Sequence, residues 1–162
     1  MSDYKSDYKI EDLLFEDLIS FDLEAKNYKE VIQKISKDAF QKGYVTKDFS
    51  EAVIKREELY PTALPTEVLK VAIPHPMERD SVLKSAIIVT KLKKPVDFVL
   101  MGSDDELVSV NIVFTLAING TEHQLTILQK LVSLFSVPES MKRIDQATTS
   151  KEMMDTLKSL LA

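Results

Sequence analysis

Residues 107–118 read LVSVNIVFTLAI, and residues 119–125 continue as NGTEHQL. The first run is apolar except at Ser109, Asn111 and Thr115, and it is dense in Val and Ile. It falls well short of the roughly 20 residues that cross a bilayer. A strand of this composition, apolar on both faces, belongs in a sheet covered on both sides. Asn119-Gly120 then supplies a turn, and Thr121 with Gln124 reads as a capping box opening a helix to about Phe135. His123 falls in the first turn of that helix.

Working outward, Val68 to Ile73 and Ser85 to Thr90 read as further strands, and Val96 to Leu100 as a short edge strand before the turn at residues 102–106. Between Glu24 and Lys42, the residues Tyr28, Val31, Ile32, Ile35 and Ala39 recur with helical period, and Gly43 marks a stop. Thr46 is a cap for a second helix with an inward stripe of Phe49, Ala52, Val53, Arg56, Leu59 and Tyr60. Ser136 with Glu139, and Thr149 with Glu152, open two more, the last with the stripe Met153, Met154, Leu157, Leu160 and Leu161. Helices on both sides of a run of strands predict an α/β fold, a three-layer α/β/α sandwich with a central mixed β-sheet. Residues 10–162 are expected to form one domain, and residues 1–9, which carry the tandem SDYK SDYK, a flexible tail.

Composition narrows the chemistry. The 162 residues carry 21 Lys and Arg against 26 Asp and Glu, a net charge of −5 without a basic block, which gives nucleic acid no electrostatic footing. With no cysteine there are no disulfides, thiolate nucleophiles or Cys-bound zinc. The start of the chain lacks a basic segment followed by an apolar run, so a cytoplasmic location is expected. Three glycines and no GxGxxG or GxxxxGK[ST] leave no loop to cradle a nucleotide. No HExxH is present, and no metal is expected. Asp104-Asp105-Glu106 reads as a solvated loop, with contact to a basic partner as the other reading.

Two histidines remain as groups able to exchange a proton or a phosphoryl near neutral pH. His75 lies between Pro74 and Pro76 at the C-terminal end of an expected strand, where open α/β sheets place their sites. It reads either as a turn histidine with one hydrogen bond or as a rigidly presented nucleophile. His123 sits among the unpaired N–H groups of a helix start, a place suited to an anion, or else supports the apolar stripe below it. Arg56 either snorkels from its helix face or points its guanidinium into a cleft.

The run AIPHP (72–76) resembles the active-site strand end, A-[IV]-P-H, of phosphotransferase system enzyme IIA domains of the fructose/mannitol type. REELYPT (56–62) is similar to that family's R-E-x-x-x-P-T segment, and NGTEHQL to its second-histidine segment. Together these cover the chain from about residue 10 to 161, with REELYPT most like the galactitol-type subgroup. Two departures stand out: the turn before the strand is Leu64-Pro65-Thr66-Glu67, where glycine is common, and Pro76 follows the histidine, where Gly or Thr is common. The resemblance implies a phosphotransferase for sugar or sugar-alcohol uptake. His75 would accept a phosphoryl group from the phosphohistidine of the carrier HPr and pass it to a cysteine of enzyme IIB. His123 and Arg56 would hold the phosphoryl oxygens, without cofactor, and IIB would link the chain to a membrane IIC. The alternative is a regulatory module whose partner binding is switched by phosphorylation of His75. Met77 and Phe98 read either as apolar rim residues near His75 that contribute to partner docking or as core packing.

Overall fold

The computed structural model describes residues 9–162. The SDYK tandem, and with it the expected tail, lies outside the described residues except for Lys9. A 3-10 turn (Ile10–Leu13) leads into β1 (Leu14–Leu23), followed by α1 (Tyr28–Gln41), α2 (Phe49–Leu59), β2 (Val71–Ala72), β3 (Ala86–Val99), β4 (Leu107–Ala117), α3 (Thr121–Phe135), α4 (Pro138–Gln146) and α5 (Ser150–Leu161). The strands form one mixed sheet in the order β1-β3-β4-β2. β3 and β4 are antiparallel, and each outer strand runs parallel to its neighbour.

Alternation along β3 and β4 divides the core between the two faces. Ile87 and Val89, with Phe114 and Leu116, pack on Ile127 and Leu131 of α3, Ile144 of α4 and Leu157 of α5. Ala86, Ile88 and Val113 turn the other way, onto Val31, Ile32 and Ile35 of α1 and Phe49 and Val53 of α2. The expected three layers follow from this division, and each fully buried Leu, Ile or Phe contributes about 1.5–3 kcal/mol of transfer free energy. Among the described residues no helix is long and apolar enough to cross a membrane.

Local chemistry fixes the element ends. Asn27 caps α1 by accepting from Glu30 N at 2.9 Å, and Gly43, at φ 86°, ends it. There Tyr44 N donates to Ala39 O and Gly43 N to Phe40 O, the paired bonds of a Schellman ending. Thr149 caps α5 through Glu152 N, while the Glu152 carboxylate reaches back to Thr148 N.

Several expectations are corrected. β1 has no counterpart in the sequence reading: its register against β3 slips between Leu14 and Ile19 and again between Ser20 and Leu23, so bulges erase the strict alternation that would mark a strand. Val96–Val99 is not a separate edge strand but the far part of β3, paired with Val110 to Leu107 of β4. The strand expected from Val68 shrinks to Val71–Ala72, because Val68 turns the chain at φ 73° and Pro74 has no N–H to extend the ladder. On α2, Leu59 and Tyr60 are exposed, and Glu57 takes the inward place instead. The helix starts also move: Asp48 stands at the α2 cap, with Thr46 Oγ1 accepting its N–H, while Gly120 caps α3 and Val137 caps α4.

β4 contains an irregularity beside β2. Lys70 O accepts from both Asn111 N (2.8 Å) and Ile112 N (3.2 Å), two successive donors on one acceptor, as in a β-bulge. Val108 and Val110 therefore join the α1–α2 face, whereas Ile112 and Phe114 join the other.

Phe98 is 1% exposed and packs its ring 5.8 Å from that of Tyr28, so it is core and not rim, while Met77 is 52% exposed. In urea unfolding, Phe98→Ala is expected to lower stability by about 3–5 kcal/mol. Met77→Ala should cost under about 0.5 kcal/mol, as a surface change does; equal losses would contradict this placement.

Candidate functional site

β2 and β4 run parallel, and the chain beyond each end carries one of the two histidines. Leu116 N donates to Pro74 O at 3.0 Å, so the segment after β2 stays against β4 although Pro74 ends the regular ladder. Residues 73–75 are held at the sheet's C-terminal edge as a result, and His75 is only 3% exposed. Its Nδ1 lies 2.8 Å from Ile73 O. Because a carbonyl can only accept, Nδ1 carries the proton, and Nε2 is left with its lone pair.

Arg56 comes from the last turn of α2. Its Nη1 donates to Tyr60 O at 3.0 Å, and its Cζ lies 5.4 Å from the centre of the Tyr60 ring. Arg56 and His75 line a single pocket of about 340 Å³ together with Tyr60, Thr62, Met101 and Leu128. Asp104 stands at that pocket too, so the acidic turn between β3 and β4 reaches the site that the sequence reading kept apart from it. The structure thus brings Arg56 and His75 together. His123 occupies the first turn of α3, as expected, half-buried, with its Nδ1 3.7 Å from where a Cβ on Gly120 would lie. It is not part of the pocket lining; its helix reaches the pocket through Leu128.

Burial sets the electrostatics. His75 is pushed down to about 4, first by desolvation and second by the Arg56 guanidinium, against the opposing bond to Ile73 O. The ring is therefore neutral at pH 7, with its lone pair on Nε2. Burial also lowers Arg56 from its ordinary value, and a guanidinium keeps its charge near neutrality. A cation and a neutral imidazole lining one pocket make a place suited to an anion.

Glu57 and Thr62 complete the site, and the sequence reading gave neither a role. They are 4% and 3% exposed. Thr62 donates to the Glu57 carboxylate from N (2.9 Å) and Oγ1 (2.9 Å), and Thr62 Oγ1 accepts from Ile73 N (3.0 Å). Desolvation pushes Glu57 up to about 7, against the two Thr62 bonds and the Arg56 charge. The available signal was a carboxylate on the inward face of an amphipathic helix, next to Arg56 and one turn before a Pro-Thr pair.

A family model described as phosphoenolpyruvate-dependent sugar phosphotransferase system, EIIA 2, matches residues 12–160. The mannitol-specific phosphotransferase enzyme IIA component of Halalkalibacterium halodurans is 29% identical over 144 residues, covering 88% of this chain and 92% of that protein. The galactitol-specific EIIA component of Escherichia coli K12 is 31% identical over 110 residues, 68% of this chain and 72% of that one. The mannitol-specific EIICBA component of Buchnera aphidicola is 28% identical over 82% of this chain, which spans only 20% of that relative's length. In fold, the chain is similar to the IIA domain in the E. coli complex of enzyme IIAMTL with phosphorylated enzyme IIBMTL, with a TM-score of 0.70 at 22% identity over 89% of this chain and 95% of that one.

The two displaced pKa values act on stability with opposite sign. His75, lowered from 6.5 to about 4, makes the folded state bind fewer protons than the unfolded one in that window, so stability falls as pH drops through it. Glu57, raised from 4.5 to about 7, does the reverse, and stability rises on acidification. From pH 7 to 5, the melting temperature of Glu57→Gln should therefore fall more steeply than that of wild type, and that of His75→Ala less steeply. Parallel curves for all three proteins would contradict the burial of these groups.

Proposed function

The chain belongs to the phosphoenolpyruvate-dependent sugar phosphotransferase EIIA 2 family, and from that premise we propose that residues 10–162 act as a phosphocarrier domain with His75 Nε2 as the acceptor atom. The observation that carries the reading is the bond from His75 Nδ1 to Ile73 O, which commits the ring proton and leaves the lone pair on Nε2. The donor is phospho-HPr and the acceptor a cysteine of enzyme IIB, which couples the chain on the cytoplasmic side to a membrane IIC that takes up a sugar or sugar alcohol.

The steps balance without proton transfer. The Nε2 lone pair attacks phosphorus in line with the P–N bond of the donor's phosphoimidazolium, that bond breaks, and its electron pair returns to the donor ring, which leaves as neutral imidazole. His75 becomes a phosphoimidazolium that keeps its Nδ1 proton. A carbonyl acceptor is worth more against a cationic ring than a neutral one, so the Ile73 bond strengthens as the phosphoryl arrives. In the second step a cysteine thiolate attacks phosphorus, a P–S bond forms, and the P–N pair returns to Nε2. Phosphoryl transfer needs little else beyond positioning and charge stabilisation. Arg56 supplies the charge from inside the pocket, and His123, in the first turn of α3 and outside the pocket lining, is the second group assigned to the phosphoryl oxygens.

Incubation with phosphoenolpyruvate, enzyme I and HPr, followed by intact-mass analysis without acid, should show one added phosphoryl group. The label should be lost on acid treatment, survive mild base, and be absent from His75→Ala. Arg56→Ala and His123→Ala should still accept the group, about 100- to 1,000-fold more slowly, the usual cost of removing one oxyanion donor. Full labelling of His75→Ala would overturn the assignment. No added mass beside an active control would favour the regulatory module.

A further inference from the structure

Behind the nucleophile stands a set of buried bonds that the transfer step does not touch. The Glu57 carboxylate takes both Thr62 donors, N at 2.9 Å and Oγ1 at 2.9 Å. With its single proton committed there, the Thr62 hydroxyl has only lone pairs left, and one of them receives Ile73 N at 3.0 Å. The Ile73 carbonyl in turn receives His75 Nδ1 at 2.8 Å. Since the N–H and C=O of Ile73 belong to different peptide units, the linkage is mechanical: it fixes both ends of one residue.

The surroundings show why a side chain is needed. On one side, residues 71–74 lie along β4, with Val71 and Ala72 opposite Ile112 and Val113 and Pro74 O bonded to Leu116 N. On the other, Leu64 pairs with Val71 through two bonds of 2.8 and 3.3 Å, and there the backbone pairing stops. Ile73 N is the next donor along that edge, and it is buried, so an unmet bond there would be costly. The Thr62 hydroxyl supplies the missing rung.

We infer that Glu57 and Thr62 are positioning residues for phosphoryl transfer: they hold the Ile73 carbonyl where it captures the Nδ1 proton of His75 and so present Nε2 to phosphorus. The inference rests on the reading of His75 as the acceptor. It differs from a purely structural role in what it demands of the imidazole. A structural pair would stabilise the fold and leave the tautomer alone. A positioning pair sets the tautomer, and loses it when the hydroxyl is removed.

The test is 15N NMR of histidine-labelled, unphosphorylated protein at pH 7, combined with the rate of phosphorylation by phospho-HPr. Wild type should show His75 as the Nδ1–H tautomer. Thr62→Val should give a mixture of tautomers and a rate about 10- to 100-fold lower, the range for removing an outer partner of a functional imidazole. Thr62→Ser, which keeps the hydroxyl, should restore both. Glu57→Gln, which can meet only one of the two Thr62 donors, should fall between. A folded Thr62→Val with the wild-type tautomer and rate would overturn the inference. If that variant does not fold, wild-type values for Glu57→Gln would do so. A wild-type protein that takes no phosphoryl group on His75 would instead sink the acceptor reading, while its tautomer ratio still reports on Glu57 and Thr62.

Discussion

The carbonyl of Ile73 accepts the Nδ1 proton of His75 at 2.8 Å, and much of the local fold is arranged so that this carbonyl cannot move. Proline on either side of His75 restricts the backbone, β4 holds one edge of residues 71–74, and Thr62 holds Ile73 from the other. An imidazole has two chemically similar nitrogens, and a group that must always react through the same one needs its tautomer chosen in advance. A backbone acceptor makes that choice without adding a charge to the pocket.

The same enclosure that fixes the ring also sets its charge state. Burial beside Arg56 costs the protonated imidazole far more than the neutral one, so the site holds a neutral nucleophile next to a cation. Such an arrangement is suited to an entering anion, whose charge would offset the desolvation of the cation. Arg56 is meanwhile steadied by the Tyr60 carbonyl and ring. The exposed side chains of Leu59, Tyr60 and Met101 stand around the same pocket, and the acidic turn at Asp104 gives its mouth a negative edge.

How much of this was legible in the sequence depended on whether a feature leaves a periodic or compositional trace. α1, α5 and β4 did: Val31, Ile32, Ile35 and Ala39 repeat at helical spacing and are buried, and Val and Ile fill the central strand. β1 left none, since its bulges break the alternation and Glu16 and Asp17 interrupt its apolar residues. Phe98 reads equally as rim or core from its residue type, and alternation along β3 carries it inward against Tyr28. At the site, the sequence pointed to His75 and Arg56 by residue type and surroundings. It could not point to the ring tautomer, which a backbone carbonyl sets, and of the Glu57–Thr62 pair it showed only an inward carboxylate one turn before a Pro-Thr pair, the bonds between them becoming visible only in the fold. The turn between β3 and β4 enters the pocket through tertiary packing alone.

The most direct test of the account is where the phosphorus sits. Long-range 1H–15N correlation and one-bond 31P–15N coupling on the phosphorylated, 15N-histidine-labelled protein would read both ring nitrogens at once. The account predicts phosphorus on Nε2 of His75, with Nδ1 still protonated and bonded to the Ile73 carbonyl. Phosphorus on Nδ1 of His75, or on His123, would contradict it.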